Sequence, residues 1–331
     1  MPPRNTAIFF ARVLALCAGI ALAPGTLAAD AAKPYPNRAV RMIVPFAAAG
    51  PTDIVARIVA QRAAEILGQQ IYIENLPGAA GNLGIETAAR AAPDGYTILV
   101  VSTGFVINTS MYSKLKYDPF KNFAPITLVA ASPNIITVTP SLPAKTLKEL
   151  IALIKSQPGK YSYADPATGS TPHLAGELFK QQYDLDLVTV PFNGAGPAIN
   201  STMGGYTPIT FTALPPVVGN INNGSVRGIA ILAKERSPEV PDVPTSGESG
   251  VPDLESDTLT GLVAPAGTPQ EIIDRWYRAV AQMIAEPATR ERFDKLGFQP
   301  VGNTPAEFTE RLKFEMERWG KVVRAANVHV D

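Results

Sequence analysis

The sequence predicts an α/β protein of two lobes, each a mixed, mostly parallel sheet flanked by helices. Three observations carry that prediction. Short β-rich runs alternate with helical periods, the order that builds parallel sheets. The alternation restarts near residue 124, as a second lobe would require. The chain has 331 residues, which at roughly 150 residues per domain suggests about two.

In the first lobe, Val40–Phe46 reads as a buried strand and Thr52–Leu67 as an amphipathic helix stopped by Gly68. Ile71–Glu74 is a second strand. The glycine-rich Asn75–Gly84 leads into a short helix, Ile85–Ala91, and Thr97–Ser102 is a third strand. After the restart, Ala124–Ala131 and Asn134–Val138 are β-rich, with Pro133 between them. Thr146–Gln157 is a helix, with Thr146 and Glu149 spaced as a capping box. Tyr161–Ala164, Leu187–Phe192, Pro208–Leu214, Val226–Leu232 and Gly261–Ala264 read as strands. His173–Tyr183, Pro197–Met203, Pro269–Ala285 and Pro305–Ala325 read as helices. The chain is expected to cross between lobes near Ser132 and to return near Ser256–Val263. That makes 32–132 the first part of lobe 1, 133–257 lobe 2, and 258–331 the return to lobe 1.

Composition excludes several classes. Lys+Arg and Asp+Glu number 29 each, so no basic excess points to nucleic acid. Cys17 is the single cysteine and the histidines are His173 and His329. No disulfide framework, Cys-based zinc site or His-rich metal site is expected, and no cofactor. Residues 1–29 carry Arg4 and Arg12, then the apolar Val13–Ala23, then small residues. This is the layout of a cleaved secretory signal peptide and is too short for a retained span. An exported, periplasmic, monomeric protein is expected.

Three turns share one construction: Phe46–Asp53, Ala164–His173 and Phe192–Pro197. Each runs from a strand through small residues to a proline at the start of a helix, where a missing N–H costs nothing. The other N–H groups of that first turn have no intrahelical partner and favour an anion. One such turn is ordinary in an α/β protein. Three, split between two lobes, point to a shared crevice beyond the strand carboxyl ends. No phosphate-binding Gly-Lys-Ser/Thr occurs, nor Gly-x-Ser-x-Gly. Asp165, Ser170 and His173 lie too close in sequence to read as a triad, so no enzyme is expected. Trp276 and Trp319 read as core, Phe105 as a residue that could line the crevice, and Glu315, Glu317, Arg318 and Lys321 as an exposed helix face.

The runs Tyr35–Arg57, Glu74–Gly84, Pro93–Thr97, Tyr117–Ile126, Gly169–Phe179, Val190–Ala198, Arg236–Thr245 and Ala264–Pro269 together resemble the Bug family. These are the extracytoplasmic solute receptors of tripartite tricarboxylate transporters. The resemblance implies a two-lobe Venus-flytrap fold that captures a small mono- or dicarboxylate for membrane transporter subunits. An orphan receptor serving a sensor kinase, or a periplasmic hydrolase, is the alternative. Carried over by motif, the ligand-binding residues are Phe46, Ala48, Ala49, Gly50 and Asp53 in the first turn, then Ser102 and Thr103. The second turn contributes Asp165, Thr168, Gly169, Ser170 and His173, and the third Asn193 and Gly194. The sequence departs from the family pattern at Ala49 and Ala167, which replace glycines, and at Asp165, which replaces a serine. Thr212 and Ala213 stand after Phe211, where many relatives have an acidic residue. The resulting expectation is one carboxylate on the Gly50, Gly169 and Ser170 N–H groups, with Asp165 meeting a donor at the ligand's other end.

Overall fold

The computed structural model describes residues 35–330 apart from Ala49. The signal segment 1–29, Cys17 and Ala49 therefore lie outside the described residues. Sheet 1 begins with β1 (Val40–Val44), β2 (Ile71–Asn75) and β3 (Thr97–Ser102). Both β2 and β3 pair with β1 in parallel. Between β1 and β2 runs α1 (Pro51–Leu67), opened by Pro51 and closed by Gly68 at φ +74°. There the Gly68 N–H reaches Ala64 C=O at 3.0 Å, a left-handed stop that glycine adopts without strain. The short α2 (Asn82–Ala89) joins β2 to β3, and α3 (Gly104–Met111) follows β3 directly.

One long strand, β4, joins the sheets. β4 (Phe123–Val138) pairs antiparallel with β9 (Asp257–Pro265) over its first half and with β7 (Ile209–Ala213) and β8 (Arg227–Ile231) over its second. The predicted break at Pro133 is absent, and the strand is continuous. Pro133 sits where β4 leaves β9 for β7, so its missing N–H falls between two ladders. Register shifts at Pro125/Thr127 and Leu128/Ala130 bend the strand. Sheet 2 continues with β5 (Ser162–Asp165) and β6 (Val188–Pro191), giving the order β2-β1-β3-β9-β4-β7-β5-β6. β5 is parallel to both β6 and β7.

The helices of sheet 2 are α4 (Leu147–Ser156), α5 (Thr171–Tyr183), α6 (Ala195–Met203) and the short α7 (Val218–Asn222). The Thr146 hydroxyl accepts from Glu149 N–H as predicted, while the Glu149 carboxylate takes the Lys145 N–H. Three helices close the chain: α8 (Gln270–Ala285), α9 (Pro287–Lys295) and α10 (Pro305–Ala325), with β10 (Gln299–Pro300) added to β4. Neither α3 nor α9 was legible in the sequence. α3 reads GFVINTSM and is buried nearly all round, so it carries no amphipathic period. α9 reads PATRERFDK and buries only Thr289 and Phe293.

Each sheet has an aromatic core. In sheet 1, Phe105 stacks on Tyr117 and meets Phe123 edge-on. In sheet 2, Phe211 packs against Tyr163 and Phe179. Phe105, read as a residue that could line the crevice, is fully buried. Trp276 and Trp319 are core residues. A third cluster spans the sheets: Ile107 and Met111 of α3, Leu174 of α5, and Trp319, Val322 and Val323 of α10.

Glu315 departs from the exposed face assigned to it. It is fully buried, accepting from Arg311 Nε at 2.7 Å and Trp319 Nε1 at 2.6 Å. Arg311 also forks onto both oxygens of Asp257 at 2.8 Å. Arg318 reaches Glu255 C=O, so α10 is pinned to the segment where the chain returns into β9. The crossover itself is stitched by Asn134, whose N–H meets Ser256 C=O at 2.9 Å and whose amide reaches Ser256 Oγ at 2.7 Å.

Candidate functional site

All six parallel strands end in turns, and the turns of each sheet pack on one another. After β1, Pro45 leads to a half-buried Phe46, an exposed Ala48 and a half-buried Gly50. The first intrahelical bond of α1 is Ile54 N–H to Gly50 C=O at 3.0 Å, which leaves the Thr52 N–H ahead of it without a helical acceptor. Asp53 does not face outward. It is buried, and its carboxylate accepts from Arg57 Nε at 2.7 Å and from Asn75 Nδ2 at 2.9 Å. Asn75 also donates to Phe46 C=O at 3.0 Å. Asp53 thus clamps the β1 turn to α1 and to the end of β2.

The β2 turn contains Ala79 and Ala80, both at positive φ (47° and 52°), a conformation that costs a non-glycine residue roughly 1–2 kcal/mol. Asn108 of α3 holds it, donating to Ala80 C=O at 3.2 Å and to Asn82 Oδ1 at 2.7 Å. After β3, Ser102 is half-buried and Thr103 fully buried. Thr103 C=O accepts from Val106 and Ile107 N–H, so the Gly104 and Phe105 N–H groups precede the helical ladder of α3.

In sheet 2 the β5 turn is folded around its own acid. Asp165 is fully buried, and its oxygens accept from Ala167 N–H at 3.0 Å and Thr168 Oγ1 at 3.2 Å, an Asx turn. Burial pushes its carboxyl above the ordinary value, against the opposing effect of the Ala167 and Thr168 hydrogen bonds. The β6 turn lies alongside, with Phe192 N–H on Asp165 C=O at 2.8 Å and Gly194 N–H on Pro166 C=O at 2.7 Å. Asn193 is exposed at its tip.

The expected donors of this turn are already engaged. Gly169 N–H donates to His173 Nδ1 at 2.9 Å, and Ser170 N–H to Ala167 C=O at 2.9 Å. Ser170 Oγ caps α5 by accepting from His173 N–H at 3.4 Å. An N–H aimed at Nδ1 requires that nitrogen to be unprotonated, which places the proton of neutral His173 on Nε2. Nε2 lies 3.9 Å from Glu177. Burial opposes the charge on Glu177, but bonds from Thr189, Lys180 and Tyr163 outweigh it and hold the carboxyl below its usual value. No Asp165–His173 hydrogen bond is present among the described residues, so Asp165, Ser170 and His173 form no catalytic relay.

The two sets of turns meet across β9. Thr103 Oγ1 accepts from Leu259 N–H at 2.9 Å, and the hydroxyls of Thr171 and Thr258 lie 2.6 Å apart. Neighbouring residues of one strand therefore hold α3 on one side and α5 on the other. Beside them Gly169, at φ +79°, presses its bare α-carbon onto Met111, so close that a Cβ there would lie 2.3 Å from Sδ. Of the sequence candidates, Phe46, Ala48, Gly50, Ser102, Thr168, Ser170, Asn193 and Gly194 sit at or near the surface of these turns. Asp53, Thr103, Asp165, Gly169 and His173 lie behind and build them. Sequence reasoning missed the α3 start at Gly104, Met111, Thr171 and Thr258. The one available signal was Ser-Thr-Gly at the end of β3, a helix start like the three proline-marked ones.

Two variants test this geometry. Gly169→Ala combines a left-handed backbone, at about 1–2 kcal/mol, with overpacking against Met111, at about 1–3 kcal/mol. It should lower stability in urea unfolding, and adding Met111→Ala should recover only the packing part. Full recovery contradicts the backbone cost, and no loss at all contradicts the contact as well. Asp165→Asn keeps an acceptor for Ala167 N–H but carries no charge. A carboxyl whose folded pKa is raised contributes stability below its unfolded value near 3.9 and loses it as pH rises through the folded value. The melting temperature of the variant relative to the parent should therefore climb from about pH 4 to about pH 7. A flat or falling difference contradicts the burial cost.

Comparison with known proteins agrees with this architecture. Residues 55–328 match the model of the tripartite tricarboxylate transporter family receptor. Protein BugT of Bordetella pertussis is 34% identical over 316 residues, covering 95% of this chain and 97% of BugT. The solved structure of Rpa4515 from R. palustris with adipate superposes with a TM-score of 0.82 at 32% identity, covering 88% of this chain and 98% of that one. MatC (Rpa3494) from Rhodopseudomonas palustris with bound malate gives a TM-score of 0.78 at 34% identity, covering 87% and 100%. The fold is that of the periplasmic binding proteins, and the chain belongs to the tripartite tricarboxylate transporter receptor family, the Bug proteins among them.

Proposed function

We propose that this protein is an exported receptor that captures a small carboxylate-bearing metabolite between its lobes and delivers it to membrane transporter subunits. Lobe 1 comprises 32–132 with 258–331, and lobe 2 comprises 133–257. Residues 1–29 direct the chain to the periplasm, where it acts as a monomer. The observation that carries the reading is the convergence of strand-end turns from both sheets on one strand, β9, through Thr103, Thr171, Thr258 and Leu259. Helix starts with N–H groups outside the helical ladder then face a common crevice, as anion capture requires.

The relatives add support. Receptors of this family bind solutes and are not enzymes, and two solved members hold adipate and malate. The engagement of Gly169 N–H with His173 and of Ser170 N–H with Ala167 reassigns the donors. The N–H groups of Thr52, Gly104 and Thr171, with the Ser102 hydroxyl and the Asn193 amide, are the ones placed to meet a ligand carboxylate. Asp53, Asp165 and His173 shape the turns that present them. Closure of one lobe on the other buries the ligand.

A thermal-shift screen tests this reading. The protein is unfolded and refolded to remove carried-over ligand, then mixed with mono-, di- and tricarboxylates, aromatic acids and amino acids. A ligand at about 100 times its dissociation constant adds about 2.7 kcal/mol, so a clear upward shift with at least one carboxylate is expected. A panel in which no carboxylate shifts the melt contradicts the reading.

A further inference from the structure

We infer that Asp257 and Arg311 are positioning residues for solute capture: their ion pair fixes how the turns of sheet 1 face those of sheet 2, without touching the solute. This rests on the receptor reading above and specifies what holds its crevice in shape. The chain passes from sheet 1 to sheet 2 along β4 and returns into β9. The two passages lie side by side, with Pro133 opposite Asp257. A two-stranded passage tolerates a wide range of twist, so side chains must set its angle. A cavity of about 470 Å³ opens beside it, walled by Phe314 and Arg318 of α10 on one side and by Leu232 and Glu235, which follow β8, on another. Lobe 2 therefore has room to move against α10. The ties between α10 and the passage are Arg311 on both oxygens of Asp257, at 2.8 Å, and Arg318 on Glu255 C=O.

Arg311 is itself held in place. Its Nε donates to Glu315 at 2.7 Å, and the fully buried Glu315 accepts from Trp319 Nε1 at 2.6 Å. Trp319 packs with Met111 and Leu174, and Met111 lies against Gly169 of the β5 turn. On the other side, the two residues after Asp257 hold the helix starts, Thr258 on Thr171 and Leu259 on Thr103. These contacts close a ring from β9 through α10 and α3 to the β5 turn and α5, and back to β9. A buried ion network adds little net stability, since lost hydration offsets its attraction. What this one supplies is direction, because a guanidinium meets a carboxylate in a narrow range of geometries. Donors held in place before a solute arrives lose less freedom on binding, so a fixed placement of the two flanks favours capture.

Pulsed electron-spin distance measurement on refolded, ligand-free protein tests this. In a Cys17→Ser background, which has no other cysteine, nitroxide labels are placed at Arg90→Cys, just after α2, and Lys155→Cys on α4, both exposed positions. Asp257→Ala removes the ion pair to β9 and keeps the Arg311–Glu315–Trp319 bonds within α10. Its distribution of label separations should be broader than the parent's, and Asp257→Glu should restore the parent's width. Arg41→Gln, which breaks the Arg41–Glu74 pair inside sheet 1, should leave the distribution unchanged. If Asp257→Ala does not fold, Asp257→Asn, which leaves Arg311 a neutral acceptor, is read in its place and should broaden the distribution as well. An unchanged distribution in the folded variant, or equal broadening by Arg41→Gln, overturns the inference. No ligand enters the measurement, so either result stands apart from the carboxylate screen that tests the receptor reading.

Discussion

Two hydrogen bonds made by consecutive residues of β9 set the geometry on which everything at the crevice depends. Leu259 N–H fixes Thr103, and the Thr258 hydroxyl meets Thr171. One residue begins the helix that leaves sheet 1 and the other begins the helix that leaves sheet 2. Leu259 acts through its backbone N–H and Thr258 through its side-chain hydroxyl, so one strand holds both turns. The same strand returns the chain from lobe 2 and is anchored there by Asn134, Ser256 and the Arg311–Asp257 fork. In the proposed reading, rotation of the lobes is absorbed at this crossover, next to the groups proposed to meet the ligand.

The acids behind the strand-end turns, Asp53 and Asp165 buried and Glu177 half-buried, serve construction. Asp53 ties three segments together, Asp165 folds its own turn, and Glu177 gathers Tyr163, Lys180 and Thr189 behind His173. These groups consume donors that a bare helix start would offer, Gly169 N–H among them. What remains is a sparse set of neutral donors separated by alanine, glycine and phenylalanine. In the proposed reading these donors anchor a ligand carboxylate, and the shape of the turns around them selects the rest of the ligand.

Much of the fold was legible in the sequence because its strands are short apolar runs bounded by glycine and proline, and its main helices are amphipathic. The bounds of β3 and α10 were read without error, and the Pro51 and Pro172 helix starts lie where their turns placed them. What escaped reading had a physical cause in each case. α3 is eight residues long and buries polar Asn108 with its apolar residues, so it shows no amphipathic period. Pro133 signals a break when seen alone, yet it stands where the pairing of β4 passes from β9 to β7. Glu315 fits a solvent-facing charge pattern but its partners, Arg311 and Trp319, are spaced one turn away on either side. At the site, the positions of the turns were readable and the destinations of their N–H groups were not, since Gly169 and His173 find each other only once the β5 turn has closed.

The central claim is that a ligand carboxylate is held by helix-start N–H groups on both flanks of β9. Amide proton resonances report this most directly, since each N–H is observed by itself. On saturation of isotopically labelled, refolded protein with a binding carboxylate, the amides of Thr52, Gly104 and Thr171 should show the largest downfield shifts and slowed exchange. The amides of Gly169 and Ser170, already committed to His173 and Ala167, should move little by comparison. Shifts concentrated at Gly169 and Ser170, or confined to one flank of β9, would contradict the account.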